Sequence, residues 1–446
     1  MTKKLVRFIG IVAIVTLIGG LLGVSHPAPI IIGFVGPLSG PGAAEAGMEM
    51  MNAVEMAVEE INAAGGVLGK QLELITMDTS FDPAIGWMAM DYLADAGAVG
   101  VVGEFHSAVA QAEIEVANQR KLPFIISGAW ADVLTAKQYP YVFRIAPAVS
   151  LFYTKVADWI KAIGFKNVVA IVENTDWGLD VNQIMGKILP RKGINYQSVI
   201  VERTVTDFTP QLRRFKAMVP HPDLLIDIFT GTGEYLIVKQ ACELGLKPPE
   251  TMIFAVGTSA LYPEFWETVG KCGVGVITKT AYHPDAFDTP AQREFSDKFK
   301  ERTGKPSTLA AMEAYDSVYV LVKAIEKAGS TDPDKIVDAL EKIEYEGVLG
   351  KIYFSTERKP AYMYHQWPDI KAILIKYTEE KQRPGEATVI YPLSHREYYQ
   401  YSFGINFRFL PDSVYFGGNQ QVTTVEAVSK VFLDRVLWRY EGHGAY

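Results

Sequence analysis

Several loops of this chain set hydroxyl or small side chains between an apolar strand pattern and the start of a helical one. Gly103-Glu104-Phe105-His106-Ser107 follows the run Val99–Val102 and precedes a helical pattern opening at Ala108. A hydroxyl beside free backbone N–H groups at a helix amino terminus makes an anion site, well suited to a carboxylate. Ser107 is therefore either a ligand contact or an ordinary N-cap. Glu104 is either a plain loop carboxylate or a negative charge offered to a cleft, and His106 reads more simply as a loop histidine. Ser127-Gly128-Ala129-Trp130 follows the strand pattern ending at Ile126; Trp130 would be an exposed pocket wall or pack against Tyr139 or Tyr141. Asn174-Thr175-Asp176-Trp177-Gly178 ends the run Val168–Val172, and the indole of Trp177 offers burial area and a face that attracts cations. Thr230-Gly231-Thr232-Gly233 follows Phe229 and either presents hydroxyls and N–H donors to the same cleft or forms a capped turn.

These groups can hold a solute, and no recognised catalytic motif accompanies them. The seven histidines show no metal-ligand spacing such as His-x3-His. There is no phosphate-binding Walker loop, no G-x-S-x-G elbow and no G-x-G-x-x-G dinucleotide turn. The expectation is a binder without cofactor or metal.

The elements that must position the loops alternate strand and helix. Ile30-Ile31-Ile32-Gly33-Phe34-Val35 is too short and β-branched for a helix and reads as a buried strand. Gly36-Pro37-Leu38-Ser39-Gly40 breaks it. Met48, Met51, Val54, Val58 and Ile61 then recur at helical spacing from Glu45 to Ala64, and Gly65-Gly66-Val67-Leu68-Gly69 stops that helix before a strand at Leu72–Met77. Further strands at Phe124–Ile126, Ser198–Val201, Leu224–Ile228, Met252–Val256 and Gly275–Thr278 alternate with helical patterns. That order predicts parallel sheets covered by helices on both faces, with ligands beyond the carboxyl ends of the strands. Tyr141–Pro147 reads as a linker strand rather than a packed one, after which a second βα series begins.

A length of 446 residues exceeds one ordinary core, and 49% hydrophobic content excludes disorder. A formal charge of −8 with no long basic block argues against nucleic acid. Lys3, Lys4 and Arg7 precede the uncharged stretch Phe8–Val24, the pattern of an export signal, either cleaved or kept as a tether; the absence of a nearby Cys excludes a lipoprotein anchor. The two cysteines, Cys242 and Cys272, are either one bridge or two buried thiols.

Gly36-Pro37-Leu38-Ser39-Gly40, the run Glu60–Gly69, Asp78 and Asp82-Pro83 resemble the opening of one family: the branched-chain-amino-acid-type extracytoplasmic solute-binding proteins of ABC importers. Lys300–Pro306 and Ala314–Tyr319 resemble that family's return to its first lobe, and Gly347–Gly350 with Ile352-Tyr353-Phe354 its third crossing. The resemblance covers about residues 30 to 392. It implies an α/β fold of two doubly wound parallel-sheet lobes joined by three hinge crossings. Lobe 1 would hold 29–147 and 280–350, lobe 2 148–279 and 351–393, with 1–28 the export segment.

From the resemblance, Ser107 would hold a ligand carboxylate, and Ala129 with Trp130 would complete its cradle, although Trp130 replaces a threonine-like position. Trp177 would close over the solute, with Thr230 nearby. At Thr258 the family's amino-acid binders carry an acid that pairs the ligand ammonium; neutral Thr258 argues for amides or carboxylates unless Glu104 or another carboxylate substitutes. The implied partners are a small-molecule solute and an ABC permease in the membrane, and the chain is expected to be monomeric and periplasmic or cell-surface. A ligand-sensing module of a receptor or regulator is the other reading of this fold. Ser394–Tyr446 resembles nothing; its aromatic residues suggest short strands and Thr423–Tyr440 an amphipathic helix, as a structural cap or a partner-binding element.

Overall fold

The structure, a computed structural model, describes residues 27–40, 43–280, 283, 289–392 and positions 414–415 and 421–422. The expected export segment, and the aromatic strands at Tyr398–Phe409 and helix of the carboxyl extension, lie outside the described residues. No helix among the described residues is long and apolar enough to cross a membrane.

Two sheets carry the fold. The first, in the order β2-β1-β3-β4-β5, contains β1 (Ile30–Gly36), β2 (Leu72–Asp78), β3 (Val101–Gly103), β4 (Phe124–Ile126) and β5 (Val142–Arg144), all parallel. The second holds β6 (Asn167–Glu173), β7 (Asn195–Val201), β8 (Leu224–Ile228), β9 (Met252–Ala255) and β10 (Ile277–Thr280) in parallel, order β10-β9-β8-β6-β7. Farther along the chain, after β10, β11 (Tyr345–Gly347) and β12 (Gly350–Ile352) form a separate hairpin. The second sheet is then extended by two antiparallel strands, β13 (Ile373–Lys376) and β14 (Thr388–Tyr391). The sheets are thus parallel-dominated, and the antiparallel edge is an addition that strand alternation did not foreshadow.

Helices cover both faces of each sheet, which is why the central strands are apolar throughout: Ile32, Phe34, Val101, Val102, Ile125 and Ile126 are fully buried. On the helix Ala44–Ala63 the buried stripe runs through Met50, Val54, Ala57 and Ile61. Met48, expected on that stripe, is 41% exposed because it lies two residues before Met50 and so on the opposite side of the helix. The helix Pro83–Asp95 starts as Asp82-Pro83 foretells: the Asp82 carboxylate accepts from Ala84 N–H at 2.8 Å with proline in the first turn. Asp78 holds the Gly36–Gly40 loop, accepting from Leu38 N–H at 2.9 Å and Ser80 N–H at 2.8 Å. Cys242 and Cys272 are bridged, with Cα atoms 5.7 Å apart, tying the helix Thr232–Glu243 to the turn before β10.

Tyr141–Pro147 is not the unpacked linker its sequence suggested. Val142–Arg144 pairs with β4 as the edge strand of the first sheet, and all three residues are buried. Its outer side is covered by the returning chain: Arg144 N–H donates to His365 O at 2.9 Å and Trp367 N–H donates to Arg144 O at 2.9 Å. The first and third crossings therefore lie side by side. The fully buried guanidinium of Arg144 joins them, donating to Gln366 Oε1 at 2.5 Å, Ala131 O at 2.6 Å and Thr135 Oγ1 at 3.0 Å, while the His365 ring stacks on Phe143 at 3.9 Å. Replacing Arg144 with Met should lower stability by about 2–4 kcal/mol, since hydrogen bonds from a charged group are lost and buried acceptors are left unmet. Chemical denaturation of the variant checks this; an unchanged midpoint would remove Arg144 from the hinge.

Candidate ligand-binding cleft

Both parallel sheets reverse strand order between neighbours that follow different connections: β1 and β3 in the first, β6 and β8 in the second. Loops diverge at such a switch point and leave a crevice beyond the carboxyl ends of the strands. The two crevices face each other across one cleft of about 60 Å³. The first sheet sends Phe105, His106 and Ser107 from the β3 loop and Gly128 and Trp130 from the β4 loop; the second sends Glu173, Thr175, Trp177, Thr230, Gly257 and Thr258.

Ser107 sits at the first turn of the helix Ser107–Arg120 but does not cap it; His106 occupies the cap position, and no side chain bonds there. The Ser107 hydroxyl oxygen instead accepts from Trp130 N–H at 3.2 Å and Ala131 N–H at 3.1 Å, tying the β3 and β4 loops together. Its proton remains available to the cleft. Trp130 is 6% exposed rather than an open wall, and packs on Phe152, at 5.0 Å between rings, instead of on Tyr139 or Tyr141. Trp177 is half-buried at the start of the helix Asp176–Arg191. Thr230 does not cap a helix; its hydroxyl donates to Glu173 Oε2 at 3.0 Å and accepts from Arg203 at 3.0 Å. Thr258 lines the cleft beside Gly257, where a Cβ would fall 2.2 Å from Glu234 Oε2 and 2.4 Å from Phe229 O. Only glycine permits that approach.

Ala129 and Glu104 are not among the lining residues. Ala129 is fully buried behind the loop. Glu104 points away from the cleft: its carboxylate accepts from Phe105 N–H at 2.8 Å, His106 N–H at 2.7 Å and Thr79 Oγ1 at 2.9 Å. It shapes the turn that presents Ser107, at a backbone φ of 53° after Gly103, whose Cβ would fall 2.1 Å from Val35 O. Burial pushes the Glu104 carboxyl up to about 7, and burial beside Glu104 pushes Glu113 well above the carboxylate range.

Sequence reading missed several cleft residues. Phe81, held at a φ of 69°, lies under the Arg203 guanidinium at 3.7 Å and against the His106 ring at 3.8 Å. Arg203 stands 3.9 Å from Glu173, whose carboxylate also accepts from Thr175 Oγ1 and Thr230 N–H. Lys279 at the end of β10 and Glu313 in the helix Leu309–Ala328 also line the cleft. Only the strand-end position of Glu173 and Lys279 could have drawn attention to them; nothing local marks Glu313.

The lobes touch around the cleft. Tyr262 of the second lobe donates to Glu49 Oε2 at 3.1 Å, and Asp132 N–H donates to Asp180 Oδ2 at 2.8 Å. Burial pushes the Glu49 carboxyl up to about 7 despite donors from Tyr262 and Thr308.

A family profile described as periplasmic binding protein matches residues 29–366, most of the chain. The chain belongs to the periplasmic binding protein family. Among curated relatives, the leucine-, isoleucine-, valine-, threonine- and alanine-binding protein of Pseudomonas aeruginosa is 28% identical over 367 residues, covering 79% of this chain and 92% of that one. A branched-chain amino acid transporter substrate-binding protein of Streptococcus pneumoniae, solved with isoleucine, superposes with a TM-score of 0.70 at 24% identity, covering 81% of this chain and 99% of that chain. A solute-binding protein of an ABC transporter from Rhodopseudomonas palustris, solved with 3,4-dihydroxybenzoic acid, gives 0.69 at 21% identity over 81% and 96%. This periplasmic binding protein therefore shares its two-lobed fold with proteins solved with an amino acid and with an aromatic acid. Its family is one of solute binders.

Replacing Ser107 with Ala leaves two buried N–H groups without their acceptor and removes a donor to the cleft. Solute affinity should fall by about 1–3 kcal/mol. Calorimetric titration checks this, and unchanged affinity would make Ser107 a loop tie alone.

Proposed function

We propose that this chain is the extracytoplasmic solute-binding component of an ABC importer, closing about its hinge on a small polar organic solute that is amino acid-like, an amide or a carboxylate. The observation that carries the reading is the composition of the cleft, with donors and aromatic faces drawn from the carboxyl edges of both sheets. A solute touching both edges binds the closed arrangement more tightly than the open one and shifts the population toward it. The work of the protein is that population shift, and a membrane permease that reads the closed form is the partner it implies. Ser107, Trp130, Trp177, Thr230 and Thr258 are the contacts we assign; Ala129 and Glu104 act by holding the loops.

Titration of the full chain with leucine, 4-methylpentanoate, 4-methylpentanamide and benzoate, with solution scattering in parallel, tests the reading. At least one solute should bind once per chain and shrink the radius of gyration; absence of binding and compaction throughout would contradict it. Trp177→Ala should weaken that compaction and lower affinity by about tenfold or more while leaving the unliganded melting temperature nearly unchanged, because a half-buried aromatic lid contributes more to binding than to folding.

A further inference from the structure

We propose that Lys279 is the anion anchor of the cleft and that the solute is an organic acid with an apolar body and no ammonium group, its carboxylate set on the Lys279 ammonium. The inference deepens the solute-binding reading and rests on it.

Lys279 is 6% exposed and lines the cleft from the end of β10, beside the loop of Gly257 and Thr258. Its ammonium lies 3.4 Å from the centre of the Trp130 ring and 5.5 Å from that of Phe152. Those faces are its contacts; among the described residues it closes no ion pair and makes no hydrogen bond. An ammonium held out of water on aromatic faces alone recovers only part of its hydration. Burial accordingly lowers its basicity, to about 7, against the opposing pull of Glu313 and Glu234.

The other charged groups around the cleft are engaged or held neutral by burial. Arg203 faces Glu173, Thr230 and the Phe81 ring; its Nη1 has no hydrogen-bond partner, but Arg203 is not among the residues that line the cleft. Burial holds His106 well below the ordinary imidazole range, so it is uncharged near neutral pH. Glu313, which outweighs Glu234 in its pull on Lys279, has a buried Oε1 without a hydrogen-bond partner, and burial raises its carboxyl well above the usual range against the opposing pull of Lys279. Held as a neutral acid it can donate to an incoming anion rather than repel it. Thr258 adds a hydroxyl and no charge. The cleft therefore offers an unmatched cation with donors from Ser107 and Glu313, a set complementary to a carboxylate. Phe81, Phe105, Trp130 and Trp177 wall the space beyond with rings, which suits an aliphatic or flat body. An ammonium on the solute would meet Lys279 as a like charge.

The test titrates the full chain and Lys279 variants with benzoate and 4-methylpentanoate, with 4-methylpentanamide as the neutral isostere and leucine as the zwitterion. The parent should bind an acid more tightly than the amide or leucine. Lys279→Met keeps the apolar stem on Trp130 and should weaken acid binding by about 10- to 100-fold while changing amide binding much less. Lys279→Arg, which keeps the charge, should retain most of the acid affinity; Lys279→Gln carries the same expectation as the Met variant if that one does not fold. Acid binding unchanged in Lys279→Met, equal losses for acid and amide, or a parent that prefers leucine would overturn the anchor and leave solute binding standing. A parent that binds none of these solutes and does not compact would overturn both.

Discussion

A formal charge taken out of water must be met by an opposite charge or by several hydrogen bonds, at a cost of several kcal/mol if it is not. The region between the two sheets of this protein is governed by that constraint. Glu173 is met by Thr175, Thr230 and Arg203, Glu104 by two backbone N–H groups and Thr79, and Asp316 by the N–H groups of Val348 and Leu349. Each of these carboxylates ties down loop backbone or side chains: Glu173 the loops after β6 and β8, Glu104 the loop after β3, Asp316 the hairpin of β11 and β12. Lys279 is left on aromatic faces, and Glu313 Oε1, His106 Nε2 and Arg203 Nη1 are buried without hydrogen-bond partners. A cleft built in this way is rigid where its charges are satisfied and receptive where they are not.

The hinge follows the same rule. The crossings pass beside each other, and the backbone of Arg144 bonds in both directions to the returning segment at His365 and Trp367. Its guanidinium fixes Gln366, whose amide in turn donates to Ala146 O at 2.9 Å and Trp367 O at 2.7 Å. These bonds tie the two neighbouring segments together and resist their local unravelling. Around the cleft the lobes meet through polar pairs, Glu49 with Tyr262, Asp132 with Asp180, and Lys305 with Glu264 at 3.6 Å, and through rings, Trp130 on Phe152 and Phe81 under Arg203. Exposed pairs such as Lys305 with Glu264 are worth little individually.

Much of the fold was legible because parallel strands buried on both faces write themselves as short β-branched runs, and Ile30–Val35, Phe124–Ile126 and Leu224–Ile228 did so. What failed had physical causes. Tyr141–Pro147, ended by Pro147, looked like a linker, yet it is covered on its outer side by His365, Gln366 and Trp367, more than two hundred residues away in sequence, which no local pattern can reveal. Met48 misled because an apolar residue on the outer side of a helix has the same letter as one inside. In the cleft, Ser107, Trp130, Trp177, Thr230 and Thr258 stood at strand ends, and strand ends are readable. Lys279 and Glu313 become neighbours only when the β10 crossing and the first-lobe helix Leu309–Ala328 are folded onto the cleft. A lysine in a strand and a glutamate in a helix carry no mark of that meeting. Glu104 was read as either a plain loop carboxylate or a charge offered to the cleft, and the choice depends on a left-handed backbone turn that sequence alone does not disclose.

The central claim is that a solute's carboxylate completes the unmatched charge between the sheets. A crystal structure of the full chain grown with the tightest-binding acid tests it most directly. The account predicts a carboxylate within hydrogen-bond distance of Lys279 Nζ and the Ser107 hydroxyl, with the apolar body of the solute against Trp130 and Trp177. A solute whose acid group lies away from Lys279, or a Lys279 ammonium turned onto Glu313 with the solute bound elsewhere, would contradict it.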